Sequence, residues 1–390
     1  MAYRFSTFKP IFSHPITVSI FIYLFWMFIT CFMSTLPMIS FKYFLSKLWF
    51  IIPIIFMGPL LFRNPKFIHK FIMLYTIPLS LVVIYTIIKH SGHNFDKQSA
   101  HYMMAPFFKD HTSYGAIIAF FLPLTITLSF IKRHHFLMRI FLLGIIIIML
   151  IGLTLSFTRA AWLSLVIAIV IAIILKFRIN RKILFSSPLI VLICLFVFKD
   201  NVLGMLENNT QNTSDNLLEH VTSMSNISTD ASNVERINRW HCALYMFYDE
   251  PMYGFGPGTY QFKYAPYQLL KYYTVIRTNT GQGGNAHSEY LGPLCESGVL
   301  GLLSFILMVL VIMIRAINMY YDTTSKTQRT WILALIISLS SYFLHGFFNN
   351  FLDTDKAAVA IWISVSILLS FDLFYKKKLG RDSVFDNKIS

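Results

Sequence analysis

The sequence predicts an all-α polytopic membrane protein with about ten transmembrane helices and one large outer loop that contains short helices. Three observations predict it. Hydrophobic residues make up 56% of the 390 residues and charged ones only 13%, and the mean hydropathy is +0.60, which excludes an ordinary soluble globular domain. Apolar runs long enough to cross ~30 Å of hydrocarbon, at about 1.5 Å of helix per residue, recur along the chain. Threading those runs through a bilayer brings every basic cluster to one side.

In order, the runs are 16–36, 44–62, 71–88, 112–131, 137–156, 159–176, 183–198, 290–314, 330–350 and 357–375. Pro37, Pro53 and Pro59 interrupt the first two. Lys, Arg and His cluster at 4–9, 63–70, 132–139, 176–182, 315–329 and 376–381. The positive-inside rule makes that side the cytoplasm and puts both termini there. The opposite side receives the segments 37–43, 89–111, 157–158, 199–289 and 351–356. The chain thus divides into seven helices over 1–198, the large loop 199–289, three helices over 290–375 and a basic tail 376–390. The net charge of +15 is a topology signal; it points to membrane lipids and not to nucleic acid. The first apolar run is long and no small-residue cleavage site follows it, unlike a cleavable signal peptide. Cys31, Cys194 and Cys295 lie in apolar runs and read as packing residues, and the spacing pairs none of the four cysteines.

The large loop ends in Gly283-Gly284-Asn285-Ala286-His287-Ser288-Glu289-Tyr290-Leu291, where an apolar helix is expected to begin. Asn285 reads as its cap and His287 as a first-turn residue. There the helix terminus disfavours imidazolium and attracts anions. A neutral imidazole at that place can take a proton from a hydroxyl; the pattern alone equally describes a histidine that only helps to cap a helix. On a continuous helix Gly298 falls roughly 20° from His287 and about 16 Å deeper. Leu291, Leu294, Gly298 and Gly301 then line a smooth furrow for a helix or a lipid chain. Glu296 falls on the opposite face, where it would tie this helix to a neighbour.

Other polar groups are expected on the same side. Lys109 and His111 precede the fourth run and could meet an anion or simply dress the interface. Arg159 stands where two runs meet almost without a loop, either snorkelling beside Trp162 or drawn inward by close packing at Ala160 and Ala161. Val234, Ile237, Leu244 and Phe247 recur at helical spacing. That places Arg236 and Arg239 one turn apart, as phosphate binders; the alternative is a surface helix with Arg236 paired locally to Glu235 or Asp249. The glycines Gly254, Gly256 and Gly258 after Pro251 make a turn; no strand-to-helix context supports a nucleotide cradle. Tyr260, Tyr264, Tyr267, Tyr272 and Tyr273, interleaved with Lys263, Lys271 and Arg277, suit sugars or a headgroup layer. His345, Asn349 and Asn350 read as structurally paired.

Arg159 with Leu163 four positions on, and His287 with Gly298 eleven positions on, resemble the paired motifs of the O-antigen ligase and O-antigen polymerase superfamily. Glu235-Arg236 and the Pro251-to-Gly258 turn are similar to that family's outer loop, and the likeness covers mainly 105–305. Family members carry about twelve spans, so this chain departs by two.

The resemblance implies transfer of a glycan from undecaprenyl pyrophosphate to an acceptor hydroxyl, the lipid A core oligosaccharide, at the periplasmic face of the bacterial inner membrane. It implies His287 as general base. Arg159, Arg236, Arg239, Lys109 and His111 would hold the donor pyrophosphate in place of a metal ion. Tyr260, Tyr264 and Arg277 would contact sugar or acceptor, and Gly298 and Gly256 would be structural. The reaction would invert the anomeric carbon and need no cofactor. A polysaccharide polymerase transfers one carrier-linked chain onto another and needs two polyprenyl sites; a protein O-oligosaccharyltransferase differs only in acceptor. A lipid-linked glycan transporter is the reading from another class; the polar residues gather at one face and not at the midplane, which argues against it.

Overall fold

The computed structural model describes residues 8–131, 135–177, 234–269 and 283–375. The seventh predicted span, with Cys194, lies outside the described residues, as do Tyr272, Tyr273, Lys271, Arg277 and the tail 376–390. The described residues are helical with no strand among them. The long helices are α1 (Pro15–Phe32), α2 (Pro37–Leu61), α3 (Pro65–Ser91), α4 (His111–Ser129), α5 (Phe136–Leu155) and α6 (Arg159–Lys176). After them come α7 (234–249), α8 (Leu291–Asp322), α9 (Lys326–His345) and α10 (Asp355–Phe374). Eight of them, α1 to α6 with α8 and α10, are long and apolar enough to cross a membrane. The protein is therefore a multi-pass, all-helical membrane protein.

Local chemistry sets the boundaries. Pro15, Pro37 and Pro65 open their helices at the first turn, where a missing N–H costs nothing. Asp110 caps α4 by accepting from the Ser113 N–H at 2.7 Å, and Ser325 caps α9 through the Gln328 N–H at 3.2 Å. Pro53 and Pro59 do not end α2, which runs through both from Pro37. In an apolar bundle neighbouring groups tolerate the lost N–H. The predicted outer segment 37–43 is accordingly the first turns of α2.

Packing then arranges the helices. α4 is the central one, with 83% of its apolar window buried. α9 packs on α4 and α6, α8 on α1, α10 on α2, and α5 on α3 and α4. α9 is not among the eight strongly apolar helices, yet most of its residues are buried against these neighbours. Its Ser338, Ser340 and Ser341 therefore face protein, where small polar residues allow close approach. Ser164 of α6 and Ser341 of α9 meet at 3.3 Å.

The two ends differ in chemistry. At one end Asp372 takes a hydrogen bond from His14 Nε2 at 3.0 Å and from Arg315 Nε at 3.0 Å, joining α1, α8 and α10. His14 Nδ1 accepts the Ile16 N–H at 3.3 Å, so the ring proton sits on Nε2 and is donated. Tyr375 closes the same end on the Arg63 carbonyl. The start of α8 with the loop before it, the starts of α4, α6 and α10, and the ends of α3 and α9 gather at the other end.

Candidate functional site

At that second end, α8 is not one continuous helix. Gly298 adopts φ 71°, ψ −169°, and breaks it. The turn after α7 inserts at the break: the Phe255 N–H donates to the Cys295 carbonyl at 3.0 Å and the Gly256 N–H to the Glu296 carbonyl at 2.8 Å. The Val299 N–H returns to the Pro251 carbonyl at 2.9 Å. A Cβ on Gly298 would stand 2.2 Å from the Met252 oxygen, and one on Gly256 would strike Ser34 Oγ at 1.9 Å. Both positions also need positive φ, so glycine is required on two grounds. The smooth furrow expected below His287 is therefore a docked turn, and the single helical register from His287 to Gly298 does not hold. Glu296 ties α8 to that turn by accepting the Tyr260 N–H at 3.0 Å, as a residue facing away from His287 should.

His287 also stands outside the helix. α8 begins at Leu291, and Ser288 Oγ, not Asn285, receives the free N–H groups of Tyr290 and Leu291 at 3.2 and 3.3 Å. Asn285 Oδ1 instead accepts the His287 N–H at 3.0 Å, closing a local turn. His287 takes φ 49°, a left-handed conformation uncommon for a residue with a Cβ. Trp240 Nε1 of α7 donates to its carbonyl at 3.2 Å. The imidazole is kept neutral, as expected, but by different physics. Burial lowers its pKa to about 4, helped by Arg236 and Arg239, against Asp110 and a hydrogen bond with Asn349.

The next residues fasten this loop. Glu289 Oε1 accepts from the Phe351 and Leu352 N–H groups at 2.7 and 2.8 Å and from Tyr342 Oη at 2.5 Å. The Glu289 N–H donates to the Gly346 carbonyl at 2.8 Å. Sequence reasoning missed this role; the available signal was a carboxylate two residues from His287 beside a membrane helix, which needs partners when buried.

Around His287 the structure gathers much of the predicted set. Arg236 lies within electrostatic reach of His287 and of His111. Asp110, the α4 cap, reaches both imidazoles as well. His111 opens α4, its carbonyl accepting Thr158 Oγ1 at 2.9 Å, and its ring lies 4.1 Å from that of His101. That bond seats the start of α6 beside the start of α4. Arg159 follows Thr158 directly and its side chain is exposed at the rim, as is that of Lys109.

Three predicted residues take other work. Arg239 is 5% exposed, its Nε bonds Glu235 Oε1 at 2.8 Å, and its guanidinium lies 4.2 Å from the Tyr264 ring centre. Arg239 thus pairs with Glu235 one turn back on α7. Tyr260 and Tyr264 are 2% and 1% exposed and stack on each other at 5.2 Å. Tyr260 Oη donates to the Arg239 carbonyl at 2.8 Å. These tyrosines cannot face a sugar, because they build a small core with Cys242, Met246, Ala286 and Cys295. Cys242 and Cys295 are both free thiols there.

The whole arrangement lies at one end of the bundle and can do two things chemically. A neutral imidazole can accept a proton, and the flanking guanidinium can neutralise an anion beside it. No curated protein matches the chain. The family described as O-Antigen ligase does match, over residues 144–306, which take in Arg159, α7, the docked turn, His287 and the break at Gly298. The match of residues 144–306 to that domain supports the O-antigen ligase superfamily and, at family level, a membrane enzyme of the glycosyltransferase type.

Proposed function

We propose that the protein moves a glycan from undecaprenyl pyrophosphate onto a hydroxyl of the lipid A core oligosaccharide, at the periplasmic face of the inner membrane. The observation that carries this reading is the meeting of His287 with Arg236 and Asp110 at one end of the bundle, inside the matched domain. His287 takes the acceptor proton as the acceptor oxygen attacks the anomeric carbon from the face opposite the leaving group. The carbon–oxygen bond to pyrophosphate breaks, undecaprenyl pyrophosphate departs, and the configuration inverts. Arg236, with Arg159, Lys109 and His111 at the rim, holds the pyrophosphate and stabilises its growing charge. Arg239 acts indirectly, by fixing α7 and by disfavouring imidazolium at His287. The positive-inside rule applied to the basic clusters of the sequence puts both termini in the cytoplasm.

The test is purified protein in bilayers with a defined lipid-linked glycan and separate acceptors. Capping of core oligosaccharide supports the ligase reading. Elongation of a second lipid-linked chain replaces it with a polymerase, and transfer to a peptide hydroxyl replaces it with protein glycosylation. His287→Ala should abolish transfer while the donor still binds; retained transfer removes His287 as the base.

A further inference from the structure

A helix standing in water carries its charges outward and its apolar stripe inward; α7 does the reverse. A step of about 100° per residue puts Leu244, Tyr245 and Tyr248 on one side of it and Glu235, Arg239, Cys242 and Met246 on the other. The second side is buried, whereas the first is exposed, Tyr248 to 70%. Glu235 and Arg239 are buried as an ion pair at 2.8 Å. Arg236 is half-buried on the flank that it shares with Trp240, and Asp249 ends the helix by accepting from Tyr267 Oη. The exposed side of α7 therefore bears aliphatic and aromatic groups and no charge.

That surface does not stop where the helix does. Met252, four residues beyond Tyr248, is 57% exposed, and Tyr253 is exposed beside it. The Val299 N–H pins this turn to α8 through the Pro251 carbonyl at 2.9 Å. Just past that bond, Leu300, Leu303 and Leu307 are exposed on one face of a helix long and apolar enough to cross a membrane. Tyr253 also stacks on Trp26 of α1 at 6.0 Å, and Trp26 Nε1 donates to the Ser297 carbonyl at 2.8 Å. Phe25, next to Trp26, is exposed as well. One apolar surface thus runs from the lipid-facing sides of α1 and α8, across the docked turn, and along α7. Tyrosine suits the upper part of it, because the ring is apolar and the hydroxyl can reach water.

We propose that α7 is seated in the membrane surface, with Leu244, Tyr245, Tyr248, Met252 and Tyr253 sunk into the boundary between head groups and acyl chains at the His287 end of the bundle. Interfacial helices bury their apolar face by about 5–10 Å in this way. The occupant is lipid, because the surface continues a lipid-covered face and its helical part has no charge with which to hold a polar partner. The consequence rests on the glycosyl-transfer reading, though the geometry does not. Arg236 and Trp240 share the flank of α7 that runs beside the seated face, and Trp240 Nε1 holds the His287 carbonyl at 3.2 Å. Seating α7 keeps that flank at the height where the pyrophosphate of a lipid-linked donor leaves the membrane. The polyprenyl tail then stays in lipid while its head group reaches Arg236.

Nitroxide labels on the full-length protein in lipid bilayers test the seating. Leu244→Cys and Tyr248→Cys carry the label in turn, and Leu303→Cys on α8 gives the lipid reference. Cys31, Cys242 and Cys295 are buried, and Cys194→Ser removes the fourth thiol. Both α7 labels should collide with dissolved oxygen nearly as often as the label on α8 and be shielded from a water-soluble nickel chelate. Free collision with the chelate at either position overturns the proposal. So does shielding from oxygen and chelate alike, the result expected if another segment of this chain or a second copy covers the face. The second readout is transfer. Tyr248→Asp should lose most of its transfer from an undecaprenyl-linked glycan in bilayers and keep it from the same glycan on a short, water-soluble prenyl chain. A wild-type rate with the long donor, or equal losses with both, overturns the role given to the seating. Labels shielded by lipid in a protein that transfers no glycan uphold the seating and defeat the glycosyl-transfer reading instead.

Discussion

Gly298 of α8 lies against Met252 so closely that a Cβ on the glycine would stand 2.2 Å from the methionine carbonyl oxygen. That contact is where the loop carrying Arg236 is fastened to the helix that follows His287. Gly298→Ala should therefore destabilise the protein by ~2 kcal/mol or more, from positive φ and overlap together. Thermal unfolding in detergent checks the stability, and transfer activity should fall with it. An unchanged melting temperature would mean that the break in α8 does not depend on glycine.

Glu289→Ala should cost about 3 kcal/mol, because it strands two buried N–H groups and a tyrosine hydroxyl that now share one carboxylate oxygen. Glu289→Gln keeps an acceptor at that oxygen and should cost clearly less. Chemical denaturation of the two variants side by side measures the difference. Equal losses would show that charge, not hydrogen-bond acceptance, matters there.

Arg236 and Arg239, one turn apart on α7, should separate cleanly. Arg239→Ala leaves Glu235 buried without the partner that now sits at 2.8 Å, and should cost ~3–5 kcal/mol of stability. Arg236→Ala should weaken binding of a lipid-linked pyrophosphate about tenfold or more. Thermal stability and donor binding, measured on both variants, give the answer. Full donor affinity in Arg236→Ala would remove that residue from the site.

The pH dependence follows from His287. Burial and the two arginines hold its pKa at about 4, below the ordinary 6.5. Between those values the unfolded chain binds more protons than the folded one, so stability rises with pH across that window. The contribution is complete above about 6.5 and is lost as pH falls through about 4. For transfer, the base form persists from neutral pH down to the same region, and kcat/KM should fall by half near pH 4. Arg236→Ala removes one of the charges that disfavour imidazolium, so its acid limb should move to higher pH. Rate profiles of the two proteins check both statements.

Sequence alone determined the class and most of the helices. Apolar run length and basic clusters report directly on a ~30 Å slab, which acts on each segment independently of its neighbours. The spans around α4, α5, α6 and α10 were legible to within a few residues for that reason. The neutral state of His287 matches the expectation only in outcome, since burial and the arginines, not a helix terminus, produce it.

Tertiary structure decided the rest, because those outcomes depend on what packs against each residue and not on local spacing. Periodicity assumes an unbroken helix, so it could not show that Gly298 breaks α8 to admit the Pro251 turn, nor that the helix starts after His287. Tyr260 and Tyr264 have polar tips that suit a surface, yet the turn folds them under Arg239. Asn349 and His345 lie some sixty residues beyond His287 in the chain. Only the fold buries both side chains at the end of α9, where they meet each other at 3.0 Å because burial obliges polar groups to find partners.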